Sequence, residues 1–190
     1  MEKKDIVYAI YSDSRTVFRI NDVAMLVEDS NLQSISKKLN YYVHTGRLLN
    51  PRKGLYAKSG YNPEEIACIL YTPAYISLEY VLQRSGIVFQ YDSRITAVSY
   101  LNREVEVTNQ IFSYRKMKGE LLVNTMGILR QDNHVNIATP ERAFLDMLYL
   151  SKEYYFDNLK PLDQKLINKI LPTFQSKALT IRVKNIFQNV

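Results

Sequence analysis

Residues Asn31 to Gly46 leave the backbone little choice. Asn31 can cap a helix, and Leu32, Ile35, Leu39, Tyr42 and Val43 then fall on one apolar stripe at about 100° per residue. Gly46 stands where a helix C-terminus favours glycine. The spacing predicts a helix from Leu32 to about Thr45. Its other face collects Gln33, Ser34, Lys37, Tyr41 and His44, with Asn40 at the edge. None of these is acidic, whereas a helix made only to face solvent would mix in Glu or Asp. Such side chains can hydrogen-bond base edges or phosphates.

The flanks extend the pattern. Ile6, Val7 and Ile10 recur at helical spacing and predict a first helix of about Lys3–Ser12. Asn21 or Asp22 can cap a second, short helix carrying Val23 to Val27, and Glu28-Asp29-Ser30-Asn31 turns the chain into the third. Two helices joined this way form a helix-turn-helix pattern. Beyond it, Leu48-Leu49-Asn50-Pro51 reads as a strand, Arg52-Lys53-Gly54 as a turn and Leu55-Tyr56-Ala57-Lys58 as a returning strand. Pro51 cannot donate to a ladder, which suits an edge hairpin. A basic hairpin after such a helix reads as a wing, with Arg52 and Lys53 at its tip, able to reach a phosphate or the minor groove. Residues 1–60 are therefore expected to form a winged helix-turn-helix, with Lys38 and Arg47 as further phosphate contacts.

Charge placement points the same way. The 190 residues hold 25 Lys and Arg against 19 Asp and Glu, a net of +6. Residues 1–60 contribute ten against six, and residues 61–190 fifteen against thirteen. No acid lies between Asp29 and Glu64, an interval that contains Lys37, Lys38, Arg47, Arg52, Lys53 and Lys58. Six cations without a carboxylate are the footprint expected of a surface that faces phosphates. At 46% hydrophobic and 23% charged, the composition excludes a disordered or low-complexity chain. Cys68 stands alone, which excludes a disulfide framework and a multi-cysteine zinc site. The longest apolar stretch, Ile66 to Leu82, is interrupted by Pro73 and Glu79. A soluble, cytoplasmic protein with no membrane partner is expected.

Residues 61–190 read as a mixed α+β domain. Asn62-Pro63-Glu64-Glu65 starts one helix and Thr72-Pro73 a second, running through Ser77, Tyr80 and Leu82 to Gly86. Strands are expected at Ile95–Tyr100, Glu104–Val107, Ile111–Lys116, Ile128–Arg130 and Val135–Ala138, in a largely antiparallel sheet. Turns are expected at Asn109-Gln110, Lys118-Gly119 and Asp132-Asn133. Thr139-Pro140-Glu141 caps a further helix, and two more close the chain at about Leu162–Leu171 and Lys177–Phe187. No Ser- or Gly-rich linker separates the two modules, so they are expected to pack together. Catalytic patterns are absent. His44 and His134 lie far apart, Cys68 reads as a small buried hydrophobe, and the glycines form no phosphate loop. Glu104 and Glu106 share a strand face, and Glu141 and Asp146 a helix, but neither pair needs a metal to account for it. The fifteen tyrosines, among them Tyr71, Tyr75, Tyr154 and Tyr155, read as packing residues. Neither a cofactor nor a bound metal is expected.

Three strings resemble the AbiEi-type antitoxin and transcriptional-regulator family of bacterial abortive-infection toxin–antitoxin systems. They are GRLLNPRKGLY (Gly46 to Tyr56), YISLEYVLQRSGI (Tyr75 to Ile87) and VNIATPERAFLDMLY (Val135 to Tyr149). The second is similar to the family's Tyr-Ile-Ser start, apolar helix and following glycine. The third is similar to its Ala-x-x-Glu-(Lys/Arg)-Ala-x-x-Asp segment. One departure is Tyr80-Val81, where the family commonly has Ser-Ala. The resemblance implies a winged helix-turn-helix that represses its own promoter, and a larger domain that opposes a nucleotidyltransferase-like toxin, often without a stable complex.

The expected function is thus a DNA-binding regulator, not an enzyme, with double-stranded operator DNA as partner and a toxin as functional counterpart. Inverted repeats would accommodate two monomers or one dimer. Gln33, Ser34, Lys37, Asn40, Tyr41 and His44 would face the major groove, and Arg52 and Lys53 would hold the wing. The alternatives are a winged helix that binds protein, and a metal-dependent enzyme acting on nucleic acid through Glu104 and Glu106.

Overall fold

The computed structural model describes residues 5–188, and the fold is α+β. By contact density the chain divides into two units. One runs through Ile66 and includes Asp132–His134; the other comprises Ala67–Gln131 and the chain from Val135 onward.

In the first unit the order is α1 (Ile6–Ser12), β1 (Val17–Arg19), α2 (Ile20–Val27), α3 (Leu32–His44), β2 (Leu49–Arg52) and β3 (Leu55–Ala57). Asp5 caps α1 by accepting the Tyr8 N–H at 2.9 Å. The expected start of that helix at Lys3 lies outside the described residues. Helix α2 begins earlier than expected. Asp22 is not its cap but sits in its first turn, accepting the Arg19 N–H at 2.7 Å. Helix α3 is capped by Asn31, which accepts the Ser34 N–H at 3.0 Å, and it ends before Gly46, whose φ is +71°.

The strand β1 is not visible in the sequence. Three residues are too few to show alternation, yet Val17–Arg19 pairs antiparallel with β3, giving the sheet order β1-β3-β2. Pro51 accordingly lies on an edge strand. Ile6, Ile10, Phe18, Val23, Ile35, Leu39, Leu48 and Tyr56 form one buried cluster, against which Tyr42 and Val43 pack. Leu32 departs from the expected stripe: it is 42% exposed, at the first position of the helix.

Helix α4 (Pro63–Leu70) follows. In its first turn the buried Glu65 accepts the N–H groups of Thr16 at 2.7 Å and Val17 at 2.8 Å. It also accepts the Thr16 hydroxyl at 2.9 Å and Nδ2 of Asn133 at 3.2 Å. One carboxylate thus satisfies the entry into β1.

The second unit is built on a six-stranded sheet of order β6-β7-β5-β4-β9-β8. Its strands are β4 (Tyr75–Ile76), β5 (Ile95–Ser99), β6 (Arg103–Val107), β7 (Gln110–Lys116), β8 (Ile128–Arg130) and β9 (Asn136–Ala138). The expectation of a largely antiparallel sheet is corrected to a mixed one, because β5 pairs parallel with β7 and β4 parallel with β9. The hairpins β6–β7 and β8–β9 are antiparallel, as is β4–β5. The parallel pairing of β5 with β7 arises because β6 passes to the outside and β7 returns into the gap.

The helix expected from Thr72 is also corrected. Tyr75–Ile76 is a strand buried on both faces, and the helix α5 spans only Glu79–Arg84. The turn between β6 and β7 is Thr108-Asn109, both at positive φ, one residue before the expected Asn109-Gln110. Lys118-Gly119 opens a short helix, α6 (Gly119–Leu122), in place of a turn. Helix α7 (Pro140–Leu150) is capped by Thr139 and almost wholly buried; α8 (Gln164–Ile170) and α9 (Lys177–Gln188) follow.

Gly127 has a φ of +77°, and a Cβ there would meet Ile170 Cδ1 at 2.8 Å and Arg142 Cβ at 2.9 Å. Gly127→Ala is expected to destabilise by about 1–3 kcal/mol through crowding alone, read as a lower denaturation midpoint.

Candidate nucleic-acid interface

Helix α3 presents the polar face its spacing implies. At about 100° per residue Gln33, Lys37, Asn40, Tyr41 and His44 share roughly a 100° arc, and all five are exposed. Ser34 is half-buried beside them, and Lys38 is exposed further round the helix. The buried Ile35 and Leu39 on the opposite side fix which face is outward. Tyr41 is 59% exposed, with its ring edge-on to Tyr42 at 5.6 Å. Arg47 is exposed, its guanidinium 5.9 Å from the Tyr42 ring centre, and its carbonyl accepts the Tyr11 hydroxyl.

The hairpin is tighter than its sequence implies. The turn is Lys53-Gly54, with Gly54 at φ +85°. Arg52 is therefore not at the tip. It ends β2, opposite Leu55, and is half-buried, while Lys53 alone of the two cations is exposed. Asn50 braces the hairpin by donating through Nδ2 to the carbonyls of Leu55 at 2.6 Å and Arg52 at 3.1 Å.

Lys58 does not belong to the cationic surface. Its Nζ donates to the Asp13 carbonyl at 2.6 Å, and burial lowers its pKa. Arg15 is likewise engaged, bonded through Nε and Nη2 to Asp13, whose carboxyl that bond holds below its usual value. The surface thus reduces to the α3 face with Lys37 and Lys38, then Arg47, and the hairpin end with Arg52 and Lys53.

A second polar cluster lies inside the other unit. Arg142 and Asp146 are both fully buried, one helical turn apart on α7, with Nε to Oδ1 at 2.9 Å. Oδ2 of Asp146 accepts the hydroxyls of Tyr75 at 2.9 Å and Ser77 at 2.8 Å. Arg142 also donates to the hydroxyl of Tyr75 and to the carbonyls of Leu121, Asn124 and Met126. Burial and the neighbouring carboxylate push the Tyr75 phenol well above its ordinary value, so it remains a donor. The Tyr-Ile-Ser string and the Arg-x-x-x-Asp string, far apart in the chain, meet here. Glu141 is buried apart from this cluster and accepts the Asp163 N–H at 3.1 Å, so it does not pair with Asp146. Among the described residues every buried side-chain nitrogen and oxygen has a partner, so this cluster is already saturated.

The remaining sequence candidates are dispersed. Glu104 is exposed and pairs with Arg94 at 3.4 Å. Among the described residues no group of three or more His, Cys, Asp or Glu could hold a metal ion. Cys68 is half-buried, with Sγ at 3.4 Å from the Asn136 nitrogen and 3.5 Å from its carbonyl oxygen. The tyrosines divide: Tyr56, Tyr75 and Tyr114 are buried, whereas Tyr8, Tyr91 and Tyr155 are 74–80% exposed, which corrects a uniform packing role. Among the described residues no helix is long and apolar enough to cross a membrane. No protein-family model matches the chain, and no curated protein does.

Proposed function

We propose that the chain is a sequence-specific DNA-binding transcriptional regulator whose first unit acts as a winged helix-turn-helix. The observation that carries this reading is the exposed face of α3: polar and basic, free of acids, and held outward by a buried stripe. The element order α1-β1-α2-α3-β2-β3, with a sheet ordered β1-β3-β2, supports placing α3 in a major groove with the β2–β3 hairpin beside it. Lys53 would reach the backbone from the hairpin tip, and Arg52 from its flank.

The antitoxin role rests on the resemblance of the three strings to AbiEi-type proteins. On that reading the chain represses its own promoter, and its second unit counteracts a nucleotidyltransferase-like toxin. The buried meeting of Tyr75, Ser77, Arg142 and Asp146 gives two of those strings one structural purpose.

Band-shift titrations at several salt concentrations test the DNA reading. Lys37→Ala is expected to weaken operator binding. The double variant Arg52→Ala with Lys53→Ala is expected to reduce the salt slope by roughly one unit per lost phosphate contact. An unchanged slope in the double variant removes the hairpin from the interface. No binding to any duplex at low salt refutes the reading and leaves a protein-binding winged helix in its place.

A further inference from the structure

Gln33, Lys37, Asn40 and His44 follow a 4-3-4 spacing and stand in one row along α3. Asn40 is tied to the core of the unit. Tyr56, only 7% exposed on the central strand β3, donates its hydroxyl to Oδ1 of Asn40 at 3.3 Å. The Tyr56 ring belongs to the same buried cluster as Ile35 and Leu39 of α3. Packing therefore fixes the phenol, and the phenol fixes the amide.

Oδ1 is the end of the amide that faces the phenol. With Oδ1 toward Tyr56, Nδ2 lies on the side away from it with both hydrogens to donate, and Oδ1 keeps a second lone pair. A donor beside an acceptor, held in one orientation, matches the major-groove edge of adenine, whose N7 accepts and whose N6 amino group donates. Guanine offers two acceptors on that edge and matches less well. An amide already oriented loses less rotational freedom on binding than one that turns freely.

We infer that Asn40 is the adenine-reading residue of this surface and that Tyr56 is its positioning residue. The inference rests on the DNA-binding reading and adds to it which base is read and by what device.

The test uses the full chain and a duplex selected with it from a random pool. Each adenine of that duplex is replaced in turn by 7-deaza-adenine, which lacks the N7 acceptor. Wild-type protein is expected to lose about tenfold in affinity at one adenine per bound copy. Asn40→Ala, a change at an exposed position, is expected to lose less than about twofold at that adenine, because the discriminating contact is gone. Tyr56→Phe is expected to fall between the two, with the same salt slope as wild type, since no phosphate contact changes. A fold defect would weaken all duplexes alike and leave the ratio between them unmoved. Wild-type indifference to 7-deaza-adenine at every position overturns the assignment, as does full discrimination by Asn40→Ala. Full discrimination by Tyr56→Phe overturns the positioning role. Failure of the wild-type chain to select any duplex sinks the DNA-binding reading itself, and this inference with it.

Discussion

Arg142→Met is expected to destabilise the second unit by about 3–5 kcal/mol. The substitution roughly keeps the volume of the side chain but leaves the fully buried Asp146 without its cation. It also removes the guanidinium donor from the carbonyls of Asn124 and Met126, and one of the donors to that of Leu121. Burial already pushes the Asp146 carboxyl upward, against Arg142 and its hydrogen-bond donors. Without Arg142 that rise is opposed only by the hydroxyls of Ser77 and Tyr75. A carboxyl whose folded pKa exceeds its unfolded value binds a proton more readily in the folded state, so the variant's deficit shrinks as the pH is lowered through the raised pKa. Denaturant titrations at neutral and mildly acidic pH measure both effects. Adding Asp146→Asn to Arg142→Met is expected to recover part of the loss, because the unpaired charge is then removed. A single variant as stable as the wild type would show that the pair contributes no more than an apolar replacement.

Glu65→Ala comes next in size, with a loss of about 2–5 kcal/mol in the first unit. The N–H groups of Thr16 and Val17 point at this carboxylate, and Val17 is buried. Without it both lose their acceptor where β1 begins, and β1 is only three residues long. Glu65→Gln keeps one carbonyl oxygen and is expected to lose less. Hydrogen exchange locates the effect: faster exchange at Thr16 and Val17 than at α3 amides places the damage in β1. Uniform acceleration across the unit would mean instead that Glu65 supports the whole of it.

The helices with clear caps were legible in the sequence. Asn31 with Gly46, and Thr139 with Pro140, mark their helices closely, because capping chemistry is local. Strands defined by their partners were not. Val17–Arg19 and Tyr75–Ile76 are too short for alternation, and both exist because a neighbouring strand needs a ladder on that side. The polar face of α3 was readable because the apolar stripe orients it. The inward turn of Lys58 was not, because the Asp13 carbonyl that receives it lies far back in the chain. Nor could the bond from Tyr56 to Asn40 be seen, since it joins a strand to a helix face and follows no spacing rule. The buried cluster was legible only as separate strings, with nothing in either to say that they meet.

The two-residue strand β4 has a mechanical meaning. It alone joins β9 and β8 on one side of the second unit's sheet to β5, β7 and β6 on the other. So short a ladder is a poor coupler of two halves. The Tyr75 hydroxyl, and that of Ser77 just beyond the strand, reach Asp146 on α7, so side-chain bonds tie this short strand to the helix that follows β9. The strand in the middle of the sheet is thus held by side-chain bonds as well as by its own short ladders.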